Sequence, residues 1–449
     1  MTSADQDLPS VIVASTPSRG HVGPMLQIAE DLVRRGYPVT VTTASAFAER
    51  ARATGAVFHP LQGAADFDAE ERTPDMRSRP GAPEPGPAVV DYDIAWTFVE
   101  PVPDQHDTLQ TLRAEAGTRR VVLLCDNAFL GYWPVRLGAP GHGFDAVVAI
   151  GVNPLTISSV DTAPFGPGLP PDASEAGRER NRMMNAQFSE MLVFTAAAVG
   201  KVFGGFGLDA PASVLDGMVT MPDRFLELAP ASVEYPRSDL PESVRFVGAL
   251  PAAPSQGELP DWWPELVAAR EQGRRVVTVT QGTLSNYDLS ELIEPTLAAL
   301  AAREDLYVVA TTGRTSSRVT SVPGNARVET FIPYGALLPL TDVFVSNGGY
   351  GATLQALGLG IPLVLAGASE DKVEVNARLS WTGAAIDLRT ARPGVADVAS
   401  AVSRVLEEPE FRTHAARIAA EITELDPFTA IVEEIHSVLD HRQDVNESR

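Results

Sequence analysis

The feature that most constrains the fold is a stretch near the start of the chain whose hydrophobic pattern changes period twice. Residues 11–14 (VIVA) are short, apolar and mostly β-branched, which is typical of a buried strand in a parallel sheet. Apolar residues then recur every three or four positions, which predicts a helix that starts at Pro24 and stops at Gly36. Residues 39–42 (VTVT) read as a second strand. The pattern predicts a strand–helix–strand unit, with His21 in the loop after its first strand.

The same alternation of strand and helix patterns continues through the rest of the chain. Residues 63–93 are the exception, because they are rich in Pro, Gly and acidic residues, show no period and predict a long loop. The whole pattern predicts an α/β protein with two doubly wound, Rossmann-like domains that face each other across a cleft. Its expected parts are a first domain at 1–235, a linker at 236–265, a second domain at 266–425 and a last helix at 426–449.

Charge and cysteine content limit the partners and the compartment. The formal net charge of −23 argues against nucleic acid or an anionic membrane as the main partner. The single cysteine, Cys125, excludes a disulfide within the chain and is expected to be a small buried residue. The N-terminus lacks the features of a signal peptide, and no run reaches the ~18 apolar residues of a membrane span. We therefore expect a soluble, cytoplasmic protein with no membrane span.

A glycine-rich turn between a strand and a helix is the strongest chemical signal of the second domain. In residues 346–353 (SNGGYGAT), glycines allow close approach of a ligand, and the helix start offers N–H groups to a phosphate. This turn matches neither a Walker loop nor the spaced dinucleotide fingerprint. Two hydroxyl residues that follow another strand, Thr283 and Ser285, are candidates for the same phosphate site.

An ordered set of motifs resembles the family-1 nucleotide-sugar glycosyltransferases, most closely the bacterial branch that modifies natural products and antibiotics of the macrolide type. The motifs are RGHVGPM, VRFVGAL, VTQGT, VETFIPY, VSNGGYGAT, ALGLGIPLV and EDK, in the family's order over nearly the whole chain. The resemblance implies the GT-B architecture, with an acceptor domain, a donor domain and a last helix that crosses back. It also implies inverting transfer of a hexose from a UDP- or TDP-sugar to a hydroxyl of an apolar small molecule, such as a polyketide or antibiotic, without a metal or other cofactor.

The resemblance also implies roles for individual residues. His21 matches the family's catalytic base, and Asp126, at the end of VVLLCD, matches its acidic partner. The donor nucleotide is expected to contact Phe331, the backbone of Ile332, Asn347, Gly349, Gly351, Ala352, Thr353 and Gln355, together with Thr283 and Ser285. The donor sugar is expected to contact Glu370, Asp371 and Lys372.

Three positions of the donor site depart from the family's pattern. Asn347 stands where the family usually has a histidine that contacts the pyrophosphate, and Gln355 stands where a glutamate contacts the ribose. Ala352 stands where a hydroxyl residue is common, which leaves Thr353 or backbone groups for that contact. Amide side chains can still form hydrogen bonds to a phosphate or a ribose. With these departures, the sequence does not decide whether the donor is a uridine or a deoxythymidine nucleotide.

The acceptor and the competing functions are less well defined by the sequence. Candidate acceptor-wall residues, each of which also suits ordinary core packing, are Phe129, Trp133, Met183, Met184 and Phe188. Metal binding would need carboxylate pairs, which occur at Asp66/Asp68 and Asp91/Asp93 but lie in the first domain, away from the nucleotide features. The alternatives are a nucleotide-sugar 2-epimerase and a non-catalytic, nucleotide-sugar-binding auxiliary protein. A nicotinamide dehydrogenase would need a Gly-x-Gly-x-x-Gly after the first strand, which is not there.

Overall fold

A computed structural model of the chain describes residues 8–84, 88–252, 259–282, 286–314 and 318–447. Within these ranges the chain forms two parallel sheets, one from each half of the sequence. Alternate residues of the central strands pack into apolar clusters on opposite sides of the sheet, as Leu123 and Leu124 do. Both faces are covered, which is the doubly wound α/β arrangement expected from the sequence.

The first sheet has the described strands β1 (Ser10–Ala14), β2 (Val39–Thr43), β3 (Val57–Pro60), β4 (Val121–Asp126), β5 (Ala146–Gly151), β6 (Arg224–Glu227) and β7 (Val244–Phe246). Their spatial order is β3-β2-β1-β4-β5-β6-β7. The helices around it are α1 (Arg19–Arg34), α2 (Ala48–Ala53), α3 (Ala69–Arg77), α4 (Ala88–Ile94), α5 (Val102–Glu115), α6 (Trp133–Arg136), α7 (Glu175–Met191), α8 (Val193–Gly205) and α9 (Val214–Thr220). A π-helical turn, Ala95–Val99, lies between α4 and α5.

The second sheet has the described strands β8 (Arg275–Thr280), β9 (Leu306–Thr311), β10 (Ala326–Glu329), β11 (Val343–Ser346), β12 (Leu363–Leu365) and β13 (Ala385–Asp387), in the order β10-β9-β8-β11-β12-β13. Its helices are α10 (Trp263–Glu271), α11 (Ile293–Leu300), α12 (Tyr334–Leu337), α13 (Tyr350–Gly358), α14 (Lys372–Trp381), α15 (Val395–Glu407) and α16 (Pro409–Glu424). The last helix, α17 (Pro427–Glu447), buries Ile431 and Ile435 in the apolar cluster of the first sheet. Helix α17 therefore packs against the domain that contains β1.

The strand orders reverse at two places, between β1 and β4 and between β8 and β11. At such a switch point the connections leave the sheet in opposite directions, so a crevice opens beyond the carboxyl ends of the two strands. The register pairs Ala14 with Cys125 in the first sheet and Ser346 with Thr280 in the second. The segments that follow these strands therefore carry the candidate site residues of each domain.

Three expectations about local structure are wrong. Helix α1 begins at Arg19, five residues before Pro24, and a proline inside a helix removes one N–H without ending the helix here. The predicted loop 63–93 contains α3, which has little amphipathic pattern but begins at the capping side chain of Asp68. The predicted linker 236–265 contains β7, whose three residues are too few to show a period. The domain limits themselves stay a prediction.

Candidate functional site

His21 lies in the first turn of α1, directly beyond the carboxyl end of β1, and not in a loop as the sequence predicted. The N–H groups of His21 and Val22 both donate to the Ser18 carbonyl, at 2.9 and 2.8 Å, which fixes the turn. At the other end of the helix, Gly36 takes a φ of +91°, the left-handed conformation that glycine adopts without strain. The helix is thus held at both ends, and it presents the imidazole at the crevice between β1 and β4.

Asp126 ends β4 and is fully buried beside His21. Its Oδ1 lies 2.9 Å from His21 Nδ1, although the two residues are far apart in the sequence. The carboxylate also accepts hydrogen bonds from Thr16 N (2.6 Å), Thr16 Oγ1 (3.1 Å) and Ala128 N (3.0 Å). These donors orient the carboxylate, so the structure brings together the two residues that the sequence paired.

Each member of this pair favours the charged form of the other. Burial alone would lower the pKa of His21, but the charge and hydrogen bond of Asp126 outweigh burial and raise it above its ordinary 6.5. Burial would raise the pKa of Asp126, but His21 and the backbone donors hold it below its ordinary value. Because Asp126 takes the Nδ1–H, the neutral imidazole leaves Nε2 as the free base. The side chain of His21 is 17% exposed, so a ligand in the cleft can reach it.

Phe98 is a site residue that the sequence reasoning missed. Its ring centroid lies 6.1 Å from that of His21, and the side chain is only partly buried against the core of the first domain. It belongs to the π-helical turn, in which Glu100 N donates to the Ala95 carbonyl at 2.9 Å. Such turns are rare and often occur at functional sites, but their residues have no distinct sequence pattern.

Asp371 approaches His21 from the second domain. It precedes α14, and burial raises the pKa of its carboxyl to about 6, while the charge of His21 opposes the rise. The reverse effect also holds, because Asp371 contributes to the raised pKa of His21. The structure therefore brings a residue predicted to contact the donor sugar within electrostatic reach of the predicted base.

The glycine-rich turn leads from β11 into α13. Gly348 has a φ of +104°, and a Cβ there would lie 2.0 Å from Asn376 Oδ1, so only glycine fits. At Gly349 and Gly351 a Cβ would meet no atom within 4 Å, so the surface beside the first turn of α13 is open. The first N–H groups of a helix lack partners within it and carry the positive end of its dipole. The turn can therefore receive an anion.

The other predicted nucleotide contacts lie in different environments. Phe331 is 74% exposed and can offer its ring to a base, whereas Ile332 is fully buried and can contribute only its backbone. The Thr353 hydroxyl donates to the carbonyls of Gly349 and Tyr350, so it supports the helix rather than facing the cleft. Ala352 and Gln355 are half-buried on α13. Thr283 and Ser285 lie outside the described residues.

Asn347, Glu370 and Lys372 lie close to one another beside this turn. Asn347 is buried, and its Nδ2 donates to the Gln281 carbonyl at 2.6 Å. Glu370 has a φ of +51°, which is rare for a residue with a side chain, and its carboxylate forms an ion pair with Lys372. Lys372 is itself buried, so this part of the site is polar and protected from solvent.

The predicted acceptor residues do not share one surface. Phe129 and Trp133 have no exposed surface and belong to the apolar core of the first domain. On α7, Met183 is 54% exposed, while Met184 and Phe188 are half-buried. In this structure only the α7 residues among the five offer surface to a ligand.

The Asp-x-Asp carboxylates already have structural partners. Asp66 accepts from Ser45, and Asp68 caps α3. Asp91 accepts from the N–H groups of Phe194 and Thr195 at the start of α8, and Asp93 pairs with Arg77. Over the part of the chain that the structure describes, no three His, Cys, Asp or Glu side chains form a group that could hold a metal ion.

The architecture is that of the GT-B glycosyltransferases. The structure is similar to the glycotransferase of kitacinnamycin, with a TM-score of 0.69 and 20% identity over 96% of this chain and 99% of that one. It is also similar to CalG4, the calicheamicin glycosyltransferase, with a TM-score of 0.68 and 18% identity over 97% and 99%. These two similarities show that the chain has the GT-B fold.

Sequence relatives define the family. UDP-glycosyltransferase 2 of Phaeomoniella chlamydospora is 38% identical over 95% of each chain. The 4'-demethylrebeccamycin synthase of Lentzea aerocolonigenes is 39% identical over 96% of this chain and 99% of its own. Residues 294–437 match the C-terminal domain of proteins like erythromycin biosynthesis protein CIII. The chain belongs to the nucleotide-sugar glycosyltransferases, in the branch that includes antibiotic-modifying enzymes.

Among the helices of the described residues, no single one is long and apolar enough to cross a bilayer. The pair α7 and α8 meets the criterion only when taken together, and it is bent by 63° at the break between them.

Proposed function

We propose that the protein transfers a hexose from a UDP- or TDP-sugar to a hydroxyl of an apolar small-molecule acceptor, with inversion at the anomeric carbon. The observation that carries this proposal is the 2.9 Å contact between His21 Nδ1 and the buried Asp126. The contact lies at the crevice of the first sheet, and Asp371 of the second domain faces it across the cleft. This arrangement suits a transfer between two ligands, because the proposed base lies on the first domain and the carboxylate lies on the proposed donor domain.

In the proposed mechanism, His21 removes the proton from the attacking hydroxyl. Nε2 accepts the proton, while Asp126 keeps the tautomer and stabilises the imidazolium that forms. The acceptor oxygen forms a bond to the anomeric carbon from the side opposite the nucleoside diphosphate, and the bond from that carbon to the phosphate oxygen breaks. The amides at the start of α13 stabilise the charge on the departing diphosphate.

The donor is proposed to lie along the carboxyl ends of β8, β11 and β12. Phe331 offers an exposed ring to the nucleobase, and Asp371 offers hydrogen bonds to sugar hydroxyls. The nucleobase stays open, because relatives are named as UDP-glycosyltransferases while a similar solved structure, the spinosyn rhamnosyltransferase SpnG (TM-score 0.65), is complexed with thymidine diphosphate. Isothermal titration with UDP and with TDP separates the two.

The acceptor is proposed to bind the first domain next to His21. Phe98 offers partly buried apolar surface beside His21. Met184 and Phe188 of α7 are half-buried apolar residues of the same domain and are proposed to extend this surface. The relative named 4'-demethylrebeccamycin synthase and the SpnG structure complexed with spinosyn aglycone support a large apolar acceptor of the antibiotic type. The class proposed is a polyketide-like or aromatic natural product with a free hydroxyl.

Metal independence is part of the proposal. It is supported by the Asp-x-Asp carboxylates, each of which serves a structural hydrogen bond or ion pair in the first domain. We expect transfer to proceed at its full rate in excess EDTA, because the α13 amides take the place that a divalent ion has in metal-dependent transferases. A loss of activity that Mg²⁺ or Mn²⁺ restores would contradict this.

The decisive assay combines donor, acceptor and product analysis. The protein is incubated with UDP-glucose or TDP-glucose and a panel of polyketide and aromatic aglycones, and the products are examined by mass spectrometry and NMR. We expect a hexose-sized mass increment and a β-linked product from the α-linked donor. Isomerisation of the nucleotide sugar without acceptor would favour a 2-epimerase instead, and binding without turnover would favour an auxiliary protein.

A further inference from the structure

Lys372 stands out because the chain has almost no lysine. Of its 35 Lys and Arg residues, two are lysines, Lys201 and Lys372. Lys201 is exposed on α8, whereas Lys372 is 7% exposed. A buried ammonium loses its hydration, which is costly unless an anion compensates it. Unlike arginine, a buried lysine is a compact cation that can lose its proton. A lysine at this position, in a chain that otherwise uses arginine almost throughout, indicates a specific role for Lys372.

Lys372 lines a small cavity at the carboxyl ends of β8, β11 and β12. Other residues of its wall are Gln281, Glu291, Asn347 and Gly367. A Cβ on Gly367 would lie 2.0 Å from the Asn347 carbonyl oxygen and 3.0 Å from Lys372 Cδ. Glycine therefore lets the lysine side chain lie against residue 347, three residues before α13 begins.

Asn347 supplies no positive charge to this cavity. Its Nδ2 donates to the Gln281 carbonyl, and its buried Oδ1 has no hydrogen-bond partner among the described residues. A buried acceptor without a donor is unfavourable, so it attracts a donor rather than a phosphate oxygen. The side chain that stands at the expected pyrophosphate position thus needs a hydrogen-bond donor beside it, and the Lys372 ammonium is one.

Burial weakens the hold of Lys372 on its proton. Burial lowers the pKa of its ammonium to about 7, with Glu291 opposing the fall and Arg77 of α3 adding to it. Glu370 forms an ion pair with the ammonium, and Glu291 is shared with Arg392 at 3.3 Å. An anion bound beside Lys372 would therefore stabilise the ammonium, and the lysine would take up a proton when the anion binds.

Resting on the function proposed above, we propose that the Lys372 ammonium binds the donor diphosphate and supplies the positive charge that Asn347 lacks. The ammonium has three N–H groups, so it can donate to Asn347 Oδ1 and to a phosphate oxygen at the same time. When the ligand binds, the phosphate takes the place of Glu370 as the anionic partner of the ammonium. The α13 amides add neutral donors from the other side. The role differs from the sugar contact that the sequence resemblance implies for this residue.

Calorimetric titration with UDP, UMP and uridine tests whether the Lys372 charge binds the diphosphate. If the protein prefers thymidine nucleotides, TDP, TMP and thymidine are used instead. We expect Lys372→Gln to weaken UDP binding by roughly 10–100-fold, the range of a hydrogen bond to a charged group, and to leave uridine binding unchanged. Lys201→Gln, the matched control, leaves all three unchanged. Equal UDP binding by wild type and Lys372→Gln would overturn the proposal, as would an equal loss for all three ligands.

Lysine-selective isotope labelling gives a second readout that does not depend on turnover. With two lysines in the chain, the ¹³Cε signals are assigned by the Lys201→Gln variant. Burial lowers the pKa of Lys372 to about 7, and we expect saturating UDP to raise this pKa. The ¹³Cε signal of Lys201 should not change when UDP is added. A Lys372 signal and titration that UDP does not alter would overturn the proposal.

Failure of this inference and failure of the proposed function give different results. If wild type binds neither UDP nor TDP, the proposed function fails. If wild type binds and transfers while Lys372→Gln raises only the KM of the donor sugar and leaves UDP affinity unchanged, the function stands and Lys372 is a sugar ligand instead.

Discussion

Asp126 shows at the residue scale how a fully buried carboxylate keeps its charge. It accepts hydrogen bonds from Thr16 N, Thr16 Oγ1 and Ala128 N in addition to its contact with His21. Hydrogen bonds to the charged form and a neighbouring cation both lower the pKa of a carboxyl group. The same contacts fix the imidazole, so one residue sets both the orientation and the basicity of the proposed base.

Replacing Asp126 by Asn tests this arrangement. We expect kcat to fall by about 10² or more, because the amide removes the charge that favours imidazolium and can invert the tautomer. His21 must be neutral to act as the base, and its pKa is raised in the wild type, so the acid limb of kcat/KM lies above pH 6.5. In Asp126→Asn the limb moves to lower pH, because burial still lowers the pKa of His21 and only the smaller effect of Asp371 still raises it. An unchanged limb would contradict the pairing.

At the element scale, the sequence predicted the elements that have a clear period and missed those that do not. The β1–α1–β2 unit was recognisable because its apolar residues change spacing, and its first strand ends beside His21. Helix α3 was missed because charged residues and Pro74 hide its period, and β7 was missed because it has three residues. Phe98 was missed because its place beside His21 depends on a π-helical turn and on tertiary packing.

The π-helical turn gives an element-scale prediction for the acceptor. Phe98→Ala should raise the KM of an apolar acceptor by roughly 10–100-fold, the equivalent of losing one buried aromatic contact, and should leave the donor KM unchanged. Phe331→Ala is the matched control on the donor side, and we expect the reverse pattern from lost stacking on the nucleobase. Steady-state kinetics with each substrate varied in turn checks both. An effect of Phe98→Ala on the donor alone would refute the assignment.

At the scale of the whole molecule, buried ion pairs join the two domains behind the cleft. Arg378 of α14 lies 2.6 Å from Glu234 of the first domain and also pairs with Glu374. Glu374 accepts the N–H groups of Gly166 and Gly168 at 2.7 Å each. These contacts fix α14, and therefore Asp371 and Lys372 at its start, relative to the first domain. No sequence pattern reveals them, because the partners lie far apart in the chain.

Removing the central cation of this network should destabilise the fold. We expect Arg378→Met to lower the free energy of unfolding by about 3–5 kcal/mol, since it removes the cation that the buried carboxylates of Glu234 and Glu374 share. Arg404→Met, which breaks an exposed pair between Arg404 of α15 and Glu408, is the control and should change stability little. Denaturant unfolding followed by circular dichroism measures both. Equal effects of the two variants would show that the network does not hold the domains together.

His21 is proposed to be the base in a sugar transfer between ligands that the two domains bind. The most direct measurement is the single-turnover transfer rate of His21→Ala, with UDP or TDP affinity measured on the same sample. We expect the rate to fall by about 10²–10⁴ while nucleotide affinity is kept, and His142→Ala, which removes an exposed histidine elsewhere on the first domain, to react normally. A His21→Ala variant that transfers sugar at the wild-type rate would contradict the account.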